Sequence, residues 1–375
     1  MNWYRVALLL LTGVWFARAA ERARDLGVPL EGKPGVWNAI TDVEGVEVGY
    51  QTLMSGGGAT AVRTGVTAVW PRGKNEDAPV FGGWFSLNGN GEMTGTTWLE
   101  ESGLLSGPVL ITNTHSVGTV RDAFIKWRVA RKRQAGGEPE EWSLPVVAET
   151  WDGFLNDVNG FHVTDADTAT ALESAKSGPI QEGNVGGGTG MVCYGFKGGT
   201  GTSSRKFGSY TVGVLVQCNC GRRSQLRISG VPVGQEIQDS IPYAKSGAFR
   251  DEDVGSIIIV VATDAPLLPT QLKRLARRAS LGLARTGSTS GNGSGDIFIA
   301  FSTANRQAGT TKGLVNITMI PNDEMNAVFD ATVQATEEAI VNAMLGAETI
   351  TGYRDHRVVA LPHDRLKQVL RKYQR

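Results

Sequence analysis

The chain has 375 residues, 41% hydrophobic and 20% charged, enough apolar material for a large core and too much for a disordered protein. Its 37 basic and 37 acidic residues cancel, so it lacks the basic surplus with which proteins hold nucleic acid or an anionic membrane. Three cysteines exclude a disulfide framework, and the 49 glycines, which follow no G-X-Y period, mark tight turns and close backbone approaches.

The first segment, MNWYR, is followed by an apolar run over residues 6–16 and then Ala17-Arg18-Ala19. A positive charge, a short apolar stretch and an A-x-A site predict a secretory signal peptide over residues 1–19, hence an exported protein, periplasmic in a Gram-negative cell. The alternative, an uncleaved anchor, calls for a span of ~20 residues. Residues 65–71 read as a strand, and residues 107–133 as a strand followed by a helix. That helix starts after Ser116 or Thr119 and aligns Val120, Ala123, Phe124 and Trp127 on one face. Residues 144–150 read as another strand, and ADTATALESAKSG as a helix ending at Gly178. The glycine run from Gly183 to Gly190 contains no G-K-[ST] and follows no clear strand, so it reads as close backbone packing, not a phosphate loop.

SYTVGVLVQCN reads as a strand, and the segment 230–255, which has no clean period, as a long loop. Residues 257–262 form an unbroken apolar strand; the next helix opens at Pro269 and aligns Leu272, Leu275, Ala279 and Leu283. A glycine-rich turn, GSTSGNGSGD, leads to the strand IFIAFST. A further strand, LVNITMI, precedes a long helix opened by Asn322, with Met325, Phe329, Ile340 and Met344 facing inward. Alternating strands and helices predict a layered α/β or α+β architecture. Cys193, Cys218 and Cys220 read as half-buried small residues, with one bridge open to them in an oxidising compartment.

The familiar hydrolytic motifs are missing. No serine stands in G-x-S-x-G, and the four histidines, His115, His162, His356 and His363, form no H-x-x-x-H or H-E-x-x-H pair. One S-x-x-K, starting at Ser203, lacks its usual companions S-D-N and K-T-G. What remains is Gly255–Ser256, at the lip of the apolar strand. Cleavage of that bond would place a new α-amine within reach of the Ser256 hydroxyl. An α-amine has a pKa of about 7.7–8.0 against about 10.4 for lysine, so it serves as a base near pH 7 without a histidine.

NAITDVEGVEVGY, GPVLITNTHSVGTVRDA, PVVAETWDGFLND, the stretch from EDVGSIIIVV to LARTGS, GNGSGDIFIAFSTAN and QATEEAI resemble the DmpA family of L-aminopeptidase/D-esterases and β-peptidyl aminopeptidases. The likeness runs from about Asn38 nearly to the C-terminus. It implies an α+β fold, an αββα four-layer sandwich of DmpA/ornithine acetyltransferase type, like the N-terminal-nucleophile hydrolases but differently connected. It implies a precursor that cleaves itself into a larger piece, 20–255, and a smaller one, 256–375, within one composite domain. Tetramers, short peptide, amide or ester substrates, and no metal or other cofactor are implied as well.

By position, the resemblance implies Ser256 as nucleophile and Gly255 as the new C-terminus. Ser294 would orient the freed amine. Asp296 stands at an acidic position that is glutamate in some relatives, and Asn219 would donate to the oxyanion. The second oxyanion donor of the family is a tyrosine; the corresponding segment here offers Trp151, Phe154 and Phe161, of which Trp151 carries a donor N–H. Glu149 and Asp152 are the candidates to receive a substrate ammonium, with turn capping as the alternative. Two other functions stay open at this stage: acyl transfer of the ornithine acetyltransferase type, and an unprocessed binding protein on the same fold.

Overall fold

The structure is a computed structural model that describes residues 21–76, 78–244, 247–248 and 255–375. The expected signal segment, 1–19, lies outside the described residues. Elements are numbered in chain order.

The segment SIIIVVAT forms β13 (Ser256–Thr263), and all eight of its residues are buried. A strand exposed on one face alternates polar with apolar residues; this one does not, because both faces are covered. Ile257, Ile259 and Val261 point into a core shared with helices, whereas Ile258, Val260 and Ala262 point into a core shared with a second sheet. Each such side chain gains roughly 1.5–3 kcal/mol by full burial. The sheet around β13 has the order β4-β3-β14-β13-β10-β9. Its members are β3 (Val80–Gly89), β4 (Leu104–Leu105), β9 (Gly199–Phe207), β10 (Tyr210–Asn219) and β14 (Gly295–Ser302). β13 runs parallel to β14 and antiparallel to β10.

The second sheet has the order β1-β2-β5-β6, from β1 (Glu47–Ser55), β2 (Val62–Trp70), β5 (Val109–Asn113) and β6 (Val146–Thr150). Three cores show the layering. One lies between the two sheets and joins Val69, Ile111 and Ala148 to Leu215, Ile258 and Phe301. The second lies between the six-stranded sheet and the helices α5 (Pro269–Arg285) and α6 (Met325–Leu345). The third lies outside the four-stranded sheet, under α2 (Val117–Gln134) and α3 (Asp165–Glu173). Helix, sheet, sheet, helix is the expected αββα sandwich. Smaller elements complete it. They are α1 (Thr96–Ser102), α4 (Val233–Glu236), α7 (His363–Lys372), the hairpin β7 (Val192–Cys193) and β8 (Phe196–Lys197), and a small sheet of β11 (Tyr243–Ala244), β12 (Gly247–Ala248), β15 (Ile350–Thr351) and β16 (Arg357–Val358).

Several expectations hold in detail. Pro269 occupies the first turn of α5, and Leu272, Leu275, Ala279 and Leu283 are buried along it. Met325, Phe329, Ile340 and Met344 are buried on α6. The glycine run does pack backbone against backbone: a Cβ at Gly188 would collide with Thr200. Other expectations fail for identifiable reasons. LVNITMI is not a strand; β14, which precedes it, is already paired on both sides by β13 and β3, so no edge is open beside it. α3 stops at Glu173 instead of running to Gly178, because the next hydroxyl, that of Ser174, turns to the backbone of Tyr50. Asn322 does not cap the long helix; its Oδ1 accepts from Arg274 instead, and a short 3-10 turn precedes α6. The segment expected as a loop before Ser256 carries α4 and β11 in its described part.

The cysteines are more deeply buried than the half-buried reading had them, and the bridge left open to them is formed. All three are fully buried, and Cys193 and Cys218 form a disulfide between β7 and β10.

Candidate active site

β13 begins at Ser256, and the register of its neighbours decides what surrounds that residue. Asn219, the last residue of β10, is its antiparallel partner, and Gly295, the first of β14, is its parallel partner. The sheet therefore brings three distant segments to one rim. The Gly295 N–H donates to Ser256 Oγ at 3.1 Å. Gly255 lies so close to the Asn219 backbone that a Cβ there would collide with the Asn219 carbonyl oxygen.

The Asn219 amide is fixed at both ends. Its Oδ1 accepts from the Val192 N–H at 2.8 Å, and its Nδ2 donates to the Trp151 carbonyl at 2.9 Å. An amide nitrogen has two hydrogens, so one remains for a substrate oxygen. Trp151 meets Asn219 through its backbone, while its half-exposed indole folds over Gly153. The Cys193–Cys218 bridge ties the hairpin that bears Val192 to the strand that bears Asn219. Cys220 Sγ lies 3.9 Å from Cys218 Sγ. With two of the three sulfurs bonded to each other, the trio does not offer the thiolate set of a metal site.

Beyond Gly295 the chain supplies an acid. Asp296 is fully buried, and its Oδ1 accepts from the Ser294 hydroxyl at 2.7 Å and from the Ile257 N–H at 3.2 Å. Its Oδ2 accepts from the Ser290 hydroxyl. Asp296 thus lies against the backbone one residue past the nucleophile candidate.

Glu149, near the end of β6, approaches from the other sheet. The Glu92 N–H donates to its Oε1 at 3.0 Å, and the Thr114 hydroxyl donates to its Oε2. Gly91 lies between Glu149 and Gly295, where a Cβ would crowd both. Burial pushes the Glu149 carboxyl above its ordinary range; the Thr114 and Glu92 hydrogen bonds oppose that, the Glu92 charge adds to it, and His115 lowers it. The His115 ring stacks on Phe161 at 5.8 Å beside this acid. Asp152 is placed differently. It is sealed beneath the loop, where Asn156 donates to its Oδ1 at 3.1 Å and Gly190 packs against its Cβ. Burial raises its carboxyl to about 7, against hydrogen bonds from Thr64 and Asn156. Of the two ammonium candidates, Glu149 borders the rim that holds Ser256, and Asp152 lies behind it.

The remaining histidines are engaged elsewhere: His162 with Asp157, His356 with the Phe154 carbonyl and His363 with the Leu345 carbonyl. Ser203 of the S-x-x-K donates to the Ala335 carbonyl inside the helix-facing core. Thr114, Glu92 and Ser290 were missed by sequence reasoning. Thr114 and Ser290 stand inside strings that were singled out, NTH and STSGNGSGD, but nothing in the strings marks which hydroxyl points at a carboxylate.

This rim combines a nucleophile candidate, an amide donor opposite it, a clamped acid beneath it and a carboxylate one glycine away. That set is suited to attack on a carbonyl next to an ammonium group. The model of peptidase family S58 matches residues 38–358. The chain is 53% identical over 390 aligned positions to the β-peptidyl aminopeptidase BapA of Sphingosinicella microcystinivorans, covering 99% of this chain and 96% of that one. It is 46% identical to the BapA of Sphingosinicella xenopeptidilytica, covering 97% and 94%. Among solved structures it is similar to the L-aminopeptidase D-Ala-esterase/amidase of Ochrobactrum anthropi, described as a variant of the Ntn hydrolase fold, with TM-score 0.86, 49% identity, and coverage of 94% and 99%. The β-aminopeptidase of a Burkholderia species matches with TM-score 0.85, 46% identity, and coverage of 94% and 99%.

Proposed function

Because the chain belongs to peptidase family S58 and is a hydrolase, an aminopeptidase, we propose that it processes itself at Gly255–Ser256 and then works through the freed N-terminal serine. The observation that carries this reading is the position of Ser256. It begins a buried strand, with its Oγ held by the Gly295 N–H and Asn219 directly opposite.

In the precursor, Ser256 Oγ attacks the Gly255 carbonyl, the C–N bond breaks, and an ester forms in its place. Water hydrolyses the ester, leaving the Gly255 carboxylate and the Ser256 α-amine. In the processed enzyme that amine takes the proton from Oγ as it attacks the substrate carbonyl. The remaining Asn219 N–H faces the developing oxyanion, and the proton passes to the leaving amine. Water then releases the acyl group from the serine. Glu149, carrying its charge, receives the substrate ammonium, which fixes cleavage at the first residue. Ser294 and Asp296 orient the α-amine of Ser256. No step in this sequence calls on a metal or organic cofactor.

The substrates we propose are short peptides, amides and esters that begin with an α- or β-amino acid; the names of the relatives support the β class. Residues 314–319 support assembly into an oligomer, a tetramer of processed units, since Leu314, Val315 and Met319 are exposed there. Export with removal of residues 1–19 is part of the same proposal.

The test is direct. Purified protein on a denaturing gel should run as two fragments with Ser256 at the new N-terminus, and it should cleave aminoacyl p-nitroanilides. Ser256→Ala should run as one band and be inactive. A single band that still turns over these substrates would overturn the mechanism, and acetyl transfer from acetylornithine to glutamate without hydrolysis would overturn the substrate class. Leu314→Asp should lower the mass seen by light scattering. The start of the mature protein from an exporting host reads out the signal cleavage.

A further inference from the structure

The turn between α5 and β14 holds its most informative residue in an unusual conformation. Ser290 has φ +49°, in the left-handed region that strains a residue with a side chain and that glycine adopts freely. The surroundings hold it there. Its N–H donates to Ser288 Oγ at 3.1 Å, and Asn88 Nδ2 donates to the Ser290 carbonyl at 3.3 Å and to the Gly291 carbonyl at 2.6 Å. Just past the end of β3, Asn90 Nδ2 donates to the Gly293 carbonyl at 2.8 Å. This end of β3 runs beside Asp296, since Asn88 is the cross-strand partner of Asp296. A glycine would satisfy this backbone without strain. The feature glycine lacks is the hydroxyl, and that hydroxyl is bonded to Asp296 Oδ2.

The geometry points to Ser290 as a positioning residue for the catalytic step, acting through Asp296; the inference rests on the function proposed above. Asp296 has one oxygen turned to Ser294 and the Ile257 N–H. The Ser290 hydroxyl holds the second oxygen, and bonds on both oxygens set the carboxylate plane. Ser290 therefore helps aim Asp296 at the Ser256 end of β13, while the backbone strain of the turn is the cost of presenting that hydroxyl.

Ser290→Ala and Ser290→Gly separate the hydroxyl from the backbone. Both remove the hydrogen bond, but only glycine relieves the strain. In the full-length protein, allowed to process, both variants should lose kcat about tenfold, as expected for one hydrogen bond to a charged group, with KM little changed. Ser290→Thr, which keeps a hydroxyl, should recover kcat in the folded fraction. Wild-type kcat in Ser290→Gly would overturn the inference and leave Ser290 as a turn residue only. A wild-type protein that neither splits nor turns over aminoacyl anilides would instead overturn the function on which the inference rests. Active wild type with unaffected Ser290 variants sinks the inference alone.

Discussion

Asn219 and Ser256 face each other across β10 and β13, and the Asn219 side-chain amide is pinned between the Val192 N–H and the Trp151 carbonyl. A donor held this way costs no reorganisation when negative charge develops on the substrate oxygen.

Asn219→Ala should therefore lower kcat by about 10²- to 10³-fold while changing KM little, the size found when one oxyanion donor is removed. Steady-state kinetics on an aminoacyl p-nitroanilide measure this. Equal losses in ground-state binding and kcat would show that the amide holds substrate and not the transition state.

Gly255→Val should stop or greatly slow processing, because a side chain at 255 meets the Asn219 carbonyl oxygen across the strand pair. Time-resolved gels of freshly expressed protein should show the full-length band persisting. Wild-type cleavage would mean that this part of the strand opens before the bond breaks.

Glu149→Gln should raise KM for substrates with a free ammonium group by about 10- to 100-fold, the range for a charge-assisted bond of 1.5–3 kcal/mol. Substrates without that amine should not respond. Because burial raises this acid, the charged form needed for the ammonium is lost at a higher pH than for an ordinary carboxylate. The acidic limb of kcat/KM should accordingly lie above the usual glutamate range and should change in Glu149→Gln.

Asp152 makes a prediction about stability. Its carboxyl rises from 3.8 to about 7 on folding, so between these values the folded state binds more protons than the unfolded one. The sign is that stability is greatest below about pH 4 for this group and falls as pH rises to about 7, by on the order of 4 kcal/mol. Urea unfolding from pH 5 to 8 should show a falling contribution that Asp152→Asn flattens. An unchanged slope would mean that Asp152 stays charged in the fold.

The legibility of this protein differed between its layers. The unbroken run Ile257 to Val261 could be read as a strand buried on both faces, and the spacing of Leu272, Leu275, Ala279 and Leu283 as a helix face, because local periodicity sets both. LVNITMI looked equally like a strand, yet it pairs with none, and β14 before it is already paired on both sides. Strand formation depends on a partner elsewhere in the chain, and propensity does not reveal whether one is open. Which two cysteines pair was hidden for the same reason: the Cys193–Cys218 bridge depends on β7 folding back against β10. In the site, the family strings and the positions carried over with them brought Ser256, Asn219, Ser294, Asp296 and Glu149 forward. They did not separate Glu149 from Asp152, which stand three residues apart, one inside β6 and the other just beyond its end.

By itself the sequence determined the layered class, which follows from local pattern, and the resemblance drew attention to the segment with Gly255–Ser256. Only the tertiary structure decided which donors meet. Asn219, Gly295 and Ser256 are far apart in the chain and adjacent by sheet register, and register is fixed by the burial of whole strand faces. Likewise, no local pattern distinguishes the Thr114 and Ser290 hydroxyls from the chain's other hydroxyls. They matter because packing removes water from Glu149 and Asp296, and a dry carboxylate is held by the few donors that the fold brings to it.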